Sequence, residues 1–171
     1  MKIRTIIVSL ITLTAIALTS CLETTEEEQK QARTKVLEQA EREALLTAMI
    51  DDDLDVDTTA LGVYYVIREE GEGPVIAPGD TITIAYNGYH INGGGMFDAS
   101  QSWEFVYPLE NLIEGFNDGL SIMKKNMIAE FIIPSHLAYG IYGSPPVIDS
   151  YETLLFAIKV IEVKPFSPAS E

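Results

Sequence analysis

The feature that most constrains this chain is a period-two alternation of apolar residues that recurs from Leu61 onward. In the last run, Thr153 to Val163, the residues Leu154, Phe156, Ile158 and Val160 share one face and the residues between them take the other. Alternation of this kind puts one side of a strand in a core. Thr81 to Tyr86 repeats it, with Ile82, Ile84 and Tyr86 on one side, directly after the turn Pro78-Gly79-Asp80. Val63 to Arg68, Glu104 to Tyr107 and Met127 to Ile133 are further strand candidates. Only one helix fits between them, around Leu112 to Met123. Antiparallel strands covered by one helix make an α+β domain. The expectation is about five strands and one short helix, spanning residues 61–164, with a tail at 165–171.

Two glycine patterns have plain explanations. Gly93-Gly94-Gly95 has no Gly-Lys-Ser/Thr after it and opens no helix, so it predicts a hairpin turn at positive φ rather than a phosphate cradle. Gly115 and Gly119 stand one turn apart and predict a close approach of the helix to the sheet.

Upstream of Leu61 the texture is different. Lys2 and Arg4 precede an uncharged run from Thr5 to Thr19, shorter than the roughly 20 residues a permanent span needs. Residues 1–20 therefore read as a secretory signal. Its end, Leu18-Thr19-Ser20-Cys21, resembles the lipobox of bacterial lipoproteins, which implies cleavage before Cys21 and acylation of that residue. Lipid chains contribute about 0.8 kcal/mol per buried CH₂, enough for several on one Cys to anchor a protein. Residues 21–60 then form a tether. Thr24 to Glu28 suits a helix start, and Val36, Leu37, Ala40, Ala44, Leu45, Ala48 and Met49 fall near a helical period. The stripe is narrow, so a solvated polar helix is expected, with dimerisation or docking through it as the other reading. Asp51 to Asp57 is dense in Asp but lacks the Gly and Glu of a calcium loop, and reads as a solvated linker.

Charge and composition exclude several functions. The 171 residues carry a formal net charge of −15, the wrong sign for a nucleic-acid binder. Removing residues 1–20 deletes Lys2 and Arg4 and no acid, so acyl chains and not the protein surface would hold the mature chain to an anionic membrane. One Cys closes no intrachain disulfide and builds no thiolate zinc site. The two histidines, His90 and His136, are too few for a His-rich metal site and read as surface residues. No metal and no cofactor is expected.

Four segments in order resemble the FKBP-type peptidyl-prolyl cis-trans isomerases, in a lipoprotein form. They are Tyr86-Asn87-Gly88 with Phe97-Asp98-Ala99-Ser100; Leu112-Ile113-Glu114-Gly115-Phe116; Leu137-Ala138-Tyr139-Gly140; and Leu154-Leu155-Phe156-Ala157-Ile158. By that resemblance Tyr86, Phe97, Asp98, Ile113, Tyr139 and Phe156 keep the residue types of the family's catalytic pocket. Trp103 and Phe105 match a pair of aromatics on the strand before the helix, with Phe105 read as core. Leu112 stands where Val is common, and Phe116 replaces the Trp that floors the pocket. Val147 and Ile148 match a branched pair in the loop over it, while Ser144 replaces a frequent His. Asn126 stands where Gly makes the turn after the helix, and Asn tolerates that left-handed geometry. The stretch from Ser100 to Trp103 reads as a short loop.

The resemblance implies a bent antiparallel sheet wrapped around one short helix, and an isomerase of X–Pro bonds in exported polypeptides, lipid-anchored in a bacterial cell envelope and facing outside the cytoplasm. The Ile113 N–H and the Tyr139 hydroxyl would hydrogen-bond substrate carbonyls, and Asp98 would orient the site. The alternative is an FKBP-like binding or chaperone module with little or no turnover.

Overall fold

The structure, a computed structural model, describes residues 34–167 apart from Asn92 and Gly94. The expected signal, Cys21 and the helix start at Thr24 to Glu28 lie outside those residues. The chain divides after Leu37, and the architecture below is that of the part from Glu38 onward.

Helix α1, over residues 34–51, leads into two-residue strand β1, Asp57–Thr58. Strands β2 (Tyr64–Glu69), β3 (Thr81–His90) and β4 (Met96–Val106) follow. Then come helix α2 (Glu114–Leu120), strand β5 (Ile128–Ile133), a 3-10 turn at Ser135–Leu137 and strand β6 (Leu154–Lys164). All the strands join one antiparallel sheet in the order β1-β2-β5-β6-β3-β4. The sheet therefore has six strands, one more than the sequence pattern led us to expect. The addition is β1, too short to carry an alternation.

The alternating residues do what their pattern requires. Leu154, Phe156, Ile158 and Val160 of β6 are all buried, as are Ile82 and Ile84 of β3. Phe116 and Leu120 of α2 close the same core. A Cβ at Gly119 would stand 2.9 Å from the Phe131 ring, and one at Gly115 would run into Ile133. Both glycines let α2 lie directly on β5. Helix α2 is shorter than its sequence signal. Ile113 caps it with extended backbone (φ −59°, ψ 140°). Beyond Leu120 the chain tightens into i→i−3 bonds, such as Met123 N–H to Leu120 O at 3.0 Å. The turn residues also take the geometry expected of them: Asn126 has φ 64°, Gly93 φ 82° and Gly95 φ 89°.

Helix α1 is where the sequence pattern misleads. Ala40, Ala44 and Ala48 are exposed, and so are Val36 and Leu37. Of the expected stripe only Leu45 and Met49 turn inward; Glu38 and Leu46 complete that face, and Leu45, Leu46 and Met49 pack with Val66 and Ile132. From Glu38 to Met49 the helix is thus docked on β2 and β5 rather than solvated. Among the described residues no helix is long and apolar enough to cross a membrane.

Candidate active site

One cavity of about 130 Å³ opens where α2 crosses the sheet. Its lining includes the rings of Tyr86, Phe97, Trp103, Phe116, Tyr139 and Phe156, together with Asp98, Leu112 and Ile113. Drug-sized ligands occupy pockets of about 300–1,000 Å³, so this one has room for a single small ring.

The strands explain how these side chains converge. Tyr86 and Phe156 come from β3 and β6 with their apolar alternates. Strand β4 needs a correction to do the same. Ile84 pairs with Trp103 but Tyr86 pairs with Ser100, so β4 carries one extra residue there. A bulge of this kind inverts the alternation beyond it, and Trp103 and Asp98 come to line one cavity although, five positions apart, they would take opposite faces of a regular strand. The Ser100–Trp103 stretch is therefore a bulge inside a continuous strand, not a loop. A second irregularity follows, where Gly88 opposes Asp98 and Tyr89 opposes Met96. It lets the neighbours Phe97 and Asp98 both reach the cavity. Gly88 makes room for this, because a Cβ there would lie 2.7 Å from Phe97 Cζ and 2.9 Å from Phe156 Cε1.

The rings hold one another edge to face, the arrangement their quadrupoles favour. Phe116 meets Phe156 at 5.0 Å and 88°, Phe97 meets Phe156 at 5.6 Å and 89°, and Tyr86 meets Phe116 at 5.8 Å and 81°. Polar groups sit at the edge of this apolar cup. The Tyr86 hydroxyl donates to Asp98 Oδ2 at 2.7 Å, and the Ala99 N–H donates to Asp98 Oδ1 at 2.9 Å. Burial, then the hydrogen bond and charge of Asp98, push the Tyr86 hydroxyl up to about 12. It stays a donor at any physiological pH. The Ile113 N–H, at the start of α2, has no acceptor among the described residues. Tyr139 stands half-exposed in the loop after the 3-10 turn.

Two residues expected at the pocket are not in its lining. Ser144 and Ile148 exchange backbone hydrogen bonds of 2.8 and 3.0 Å. That tight turn drives the Ile148 side chain into the core, at 3 % exposure, and leaves Val147 outside in solvent. His90, read as a surface residue, is largely covered, because β3 runs on four residues past Tyr86. Its Nδ1 lies 2.6 Å from Glu152 Oε1, and its ring meets Phe97 at 5.2 Å. His136 is exposed, as expected. Asn111 also lines the cavity; nothing in the sequence marks it. Cys21 lies outside the described residues.

Residues 73–161 match the model of the FKBP-type peptidyl-prolyl cis-trans isomerase family. Every lining residue of the cavity falls inside that segment. The chain belongs to this family. The peptidyl-prolyl cis-trans isomerase Mip of Coxiella burnetii is 37 % identical over 111 residues, 64 % of this chain and 48 % of the relative. The probable isomerase FkpA of Neisseria meningitidis is 36 % identical over 63 % of this chain and 40 % of its own length. The chain thus spans less than half the length of either curated relative. Among solved structures, FkpA from Escherichia coli superposes with a TM-score of 0.66 at 27 % identity, covering 98 % of this chain and 75 % of that one. An isomerase from Pseudomonas syringae gives 0.61 at 28 % identity, covering 74 % and 96 %. For an FKBP-type chain, Phe116 still supplies an aromatic floor, edge-on to Phe156 and buried to 2 % exposure.

Proposed function

We propose that the chain is a peptidyl-prolyl cis-trans isomerase acting on X–Pro bonds of exported polypeptides, without covalent chemistry, in this aromatic cup. The observation that carries the reading is the convergence on one small cavity of six rings, Asp98 and Ile113, whose N–H has no acceptor among the described residues. Amide resonance sets a barrier of about 18–20 kcal/mol and a step of tens to hundreds of seconds. As the bond twists, conjugation is lost and the carbonyl sheds negative charge. The twisted amide is the less polar of the two forms, so a water-poor cup favours it over the planar one. A gain of ~4 kcal/mol gives about a thousandfold in rate.

Each group has a part in that scheme. The proline ring seats on Phe116 and Phe156 between Tyr86 and Phe97. The Ile113 N–H and the Tyr139 hydroxyl hold carbonyls on either side of the ring. Asp98, fixed by Tyr86 and Ala99, faces the carbonyl of the twisting amide. A protease-coupled assay on proline peptides tests this, using the chain from residue 21 with Cys21→Ser. Acceleration is expected, with kcat/KM reduced by about tenfold or more in folded Asp98→Val and Phe97→Ala. An absence of acceleration over several peptides sinks the enzyme reading. If the variants then still suppress aggregation as wild type does, the chain is a binding module.

The lipobox-like Leu18 to Cys21 supports a second element of the proposal, an acyl anchor holding the domain outside the cytoplasm. The full chain, expressed in a bacterium, should partition into detergent and Cys21→Ser should not. Equal partitioning of the two refutes the anchor.

A further inference from the structure

We propose that Glu38 is a positioning residue for the site: from α1 its carboxylate holds both feet of the loop that carries Tyr139. The catalytic half of this inference rests on the isomerase reading; the clamp itself does not. Strands β5 and β6 pair up to Ile133 and Leu154, and the long loop between them emerges at Ser135 and returns at Thr153. Glu38 Oε1 accepts the Ser135 N–H at 2.9 Å and the Thr153 hydroxyl at 3.1 Å. Both donors are buried, Ser135 to 3 % and Thr153 to 1 % exposure. Glu38 is itself buried, with Arg42 Nη1 at 3.4 Å from the same oxygen.

An apolar residue at this position would dock the helix at lower cost, since a buried carboxylate loses its hydration. What the carboxylate provides is an acceptor for two groups that would otherwise be buried and unpaired. The consequence reaches the site through Ser135. Its carbonyl accepts the Ala138 N–H at 2.9 Å and the Gly140 N–H at 2.8 Å, the two amides flanking Tyr139. Holding Ser135 by its N–H restrains the residue whose carbonyl, one peptide further on, ties down the backbone on both sides of Tyr139, whose hydroxyl must meet a substrate carbonyl. Displacement of a catalytic group by about 1 Å costs up to about a hundredfold.

The full-length chain carrying Cys21→Ser serves as the test background, with Glu38→Ala and Glu38→Gln added. Amide hydrogen exchange at Ala138 and Gly140 is read against Asn126 and Val160, whose backbone bonds lie at the far end of β6. Glu38→Ala should speed exchange of the first pair by about tenfold or more and leave the second pair unchanged. It should lower kcat/KM by about ten- to a hundredfold. Glu38→Gln keeps an acceptor oxygen and should restore most of both. Unchanged exchange at Ala138 and Gly140, or equal acceleration at all four amides, overturns the clamp. Faster loop exchange with unchanged kcat/KM overturns the positioning role. If wild type proves inactive, the exchange data still decide the clamp, so the two readings fail separately.

Discussion

The hydroxyl of Tyr86 is the smallest part on which the site depends. It is the side-chain donor to Asp98, with the Ala99 N–H on the other oxygen, and its removal leaves the ring cluster intact. Tyr86→Phe should keep the fold and lower kcat/KM by about five- to tenfold, the worth of one hydrogen bond of about 1 kcal/mol, measured in the peptide assay. The same substitution has a signature in pH. An unfolded Tyr ionises near 10, whereas the folded hydroxyl is held to about 12. Between those values the unfolded chain has released a proton that the native chain retains, so stability falls as pH rises. Below pH 10 the contribution is present in full. Tyr65 and Tyr107 are raised as well, chiefly by burial, so Tyr86→Phe should flatten the alkaline limb of a denaturation series without abolishing it. Identical limbs for the two proteins would count against the burial of this hydroxyl.

Strand β4 shows what a sequence reveals and what it hides. The alternation in β6 and β3 was legible because each apolar side chain there answers to one core, and Gly115, Gly119 and Asn126 were legible because backbone space or φ demands those residue types. Phe97 and Asp98 were recognisable as site residues only through the resemblance, since neighbours in a regular strand point to opposite faces. The bulges that bring them together leave no mark on the pattern; they obscured the strand, which reads as beginning at Glu104 when it starts at Met96. The face of helix α1 was legible only in part for a related reason. Leu45 and Met49 of the expected stripe do pack inward beside a buried Glu38, but a hydrophobic count admits exposed alanines to the stripe and passes over a charged residue. Gly88 is the place to test the bulge geometry. In Gly88→Ala the new Cβ would stand 2.7 Å from Phe97 Cζ, and the ring must leave its seat. We expect a loss of about 1–3 kcal/mol of stability from overpacking and a kcat/KM lower by about tenfold or more. Thermal unfolding and the peptide assay read the two effects; unchanged catalysis would mean that Phe97 need not lie over Gly88.

At the scale of the whole molecule the dominant property is charge. The chain has a formal net charge of −15, and the cup's lining includes the exposed carboxylate of Asp98. A cup of rings offers little to distinguish polypeptides by charge, whereas a net charge acts before contact. Attraction over distances beyond hydrogen bonding raises the encounter rate of an oppositely charged ligand and weakens the approach of a like-charged one. Two proline peptides of equal length, one flanked by Lys and one by Glu, should therefore differ in kcat/KM. At about 0.01 M salt the Debye length is about 30 Å, and the field spans the whole domain. At about 1 M it shrinks to about 3 Å, and only direct contacts survive. The Lys peptide should be favoured by about tenfold or more at the lower salt, with the ratio collapsing towards unity at the higher. The collapse separates field from contact, because a specific ion pair inside the pocket is screened far less than charges spread over the surface. A ratio that holds steady across that salt range would place the selection in the cup and remove the surface charge from any part in substrate choice.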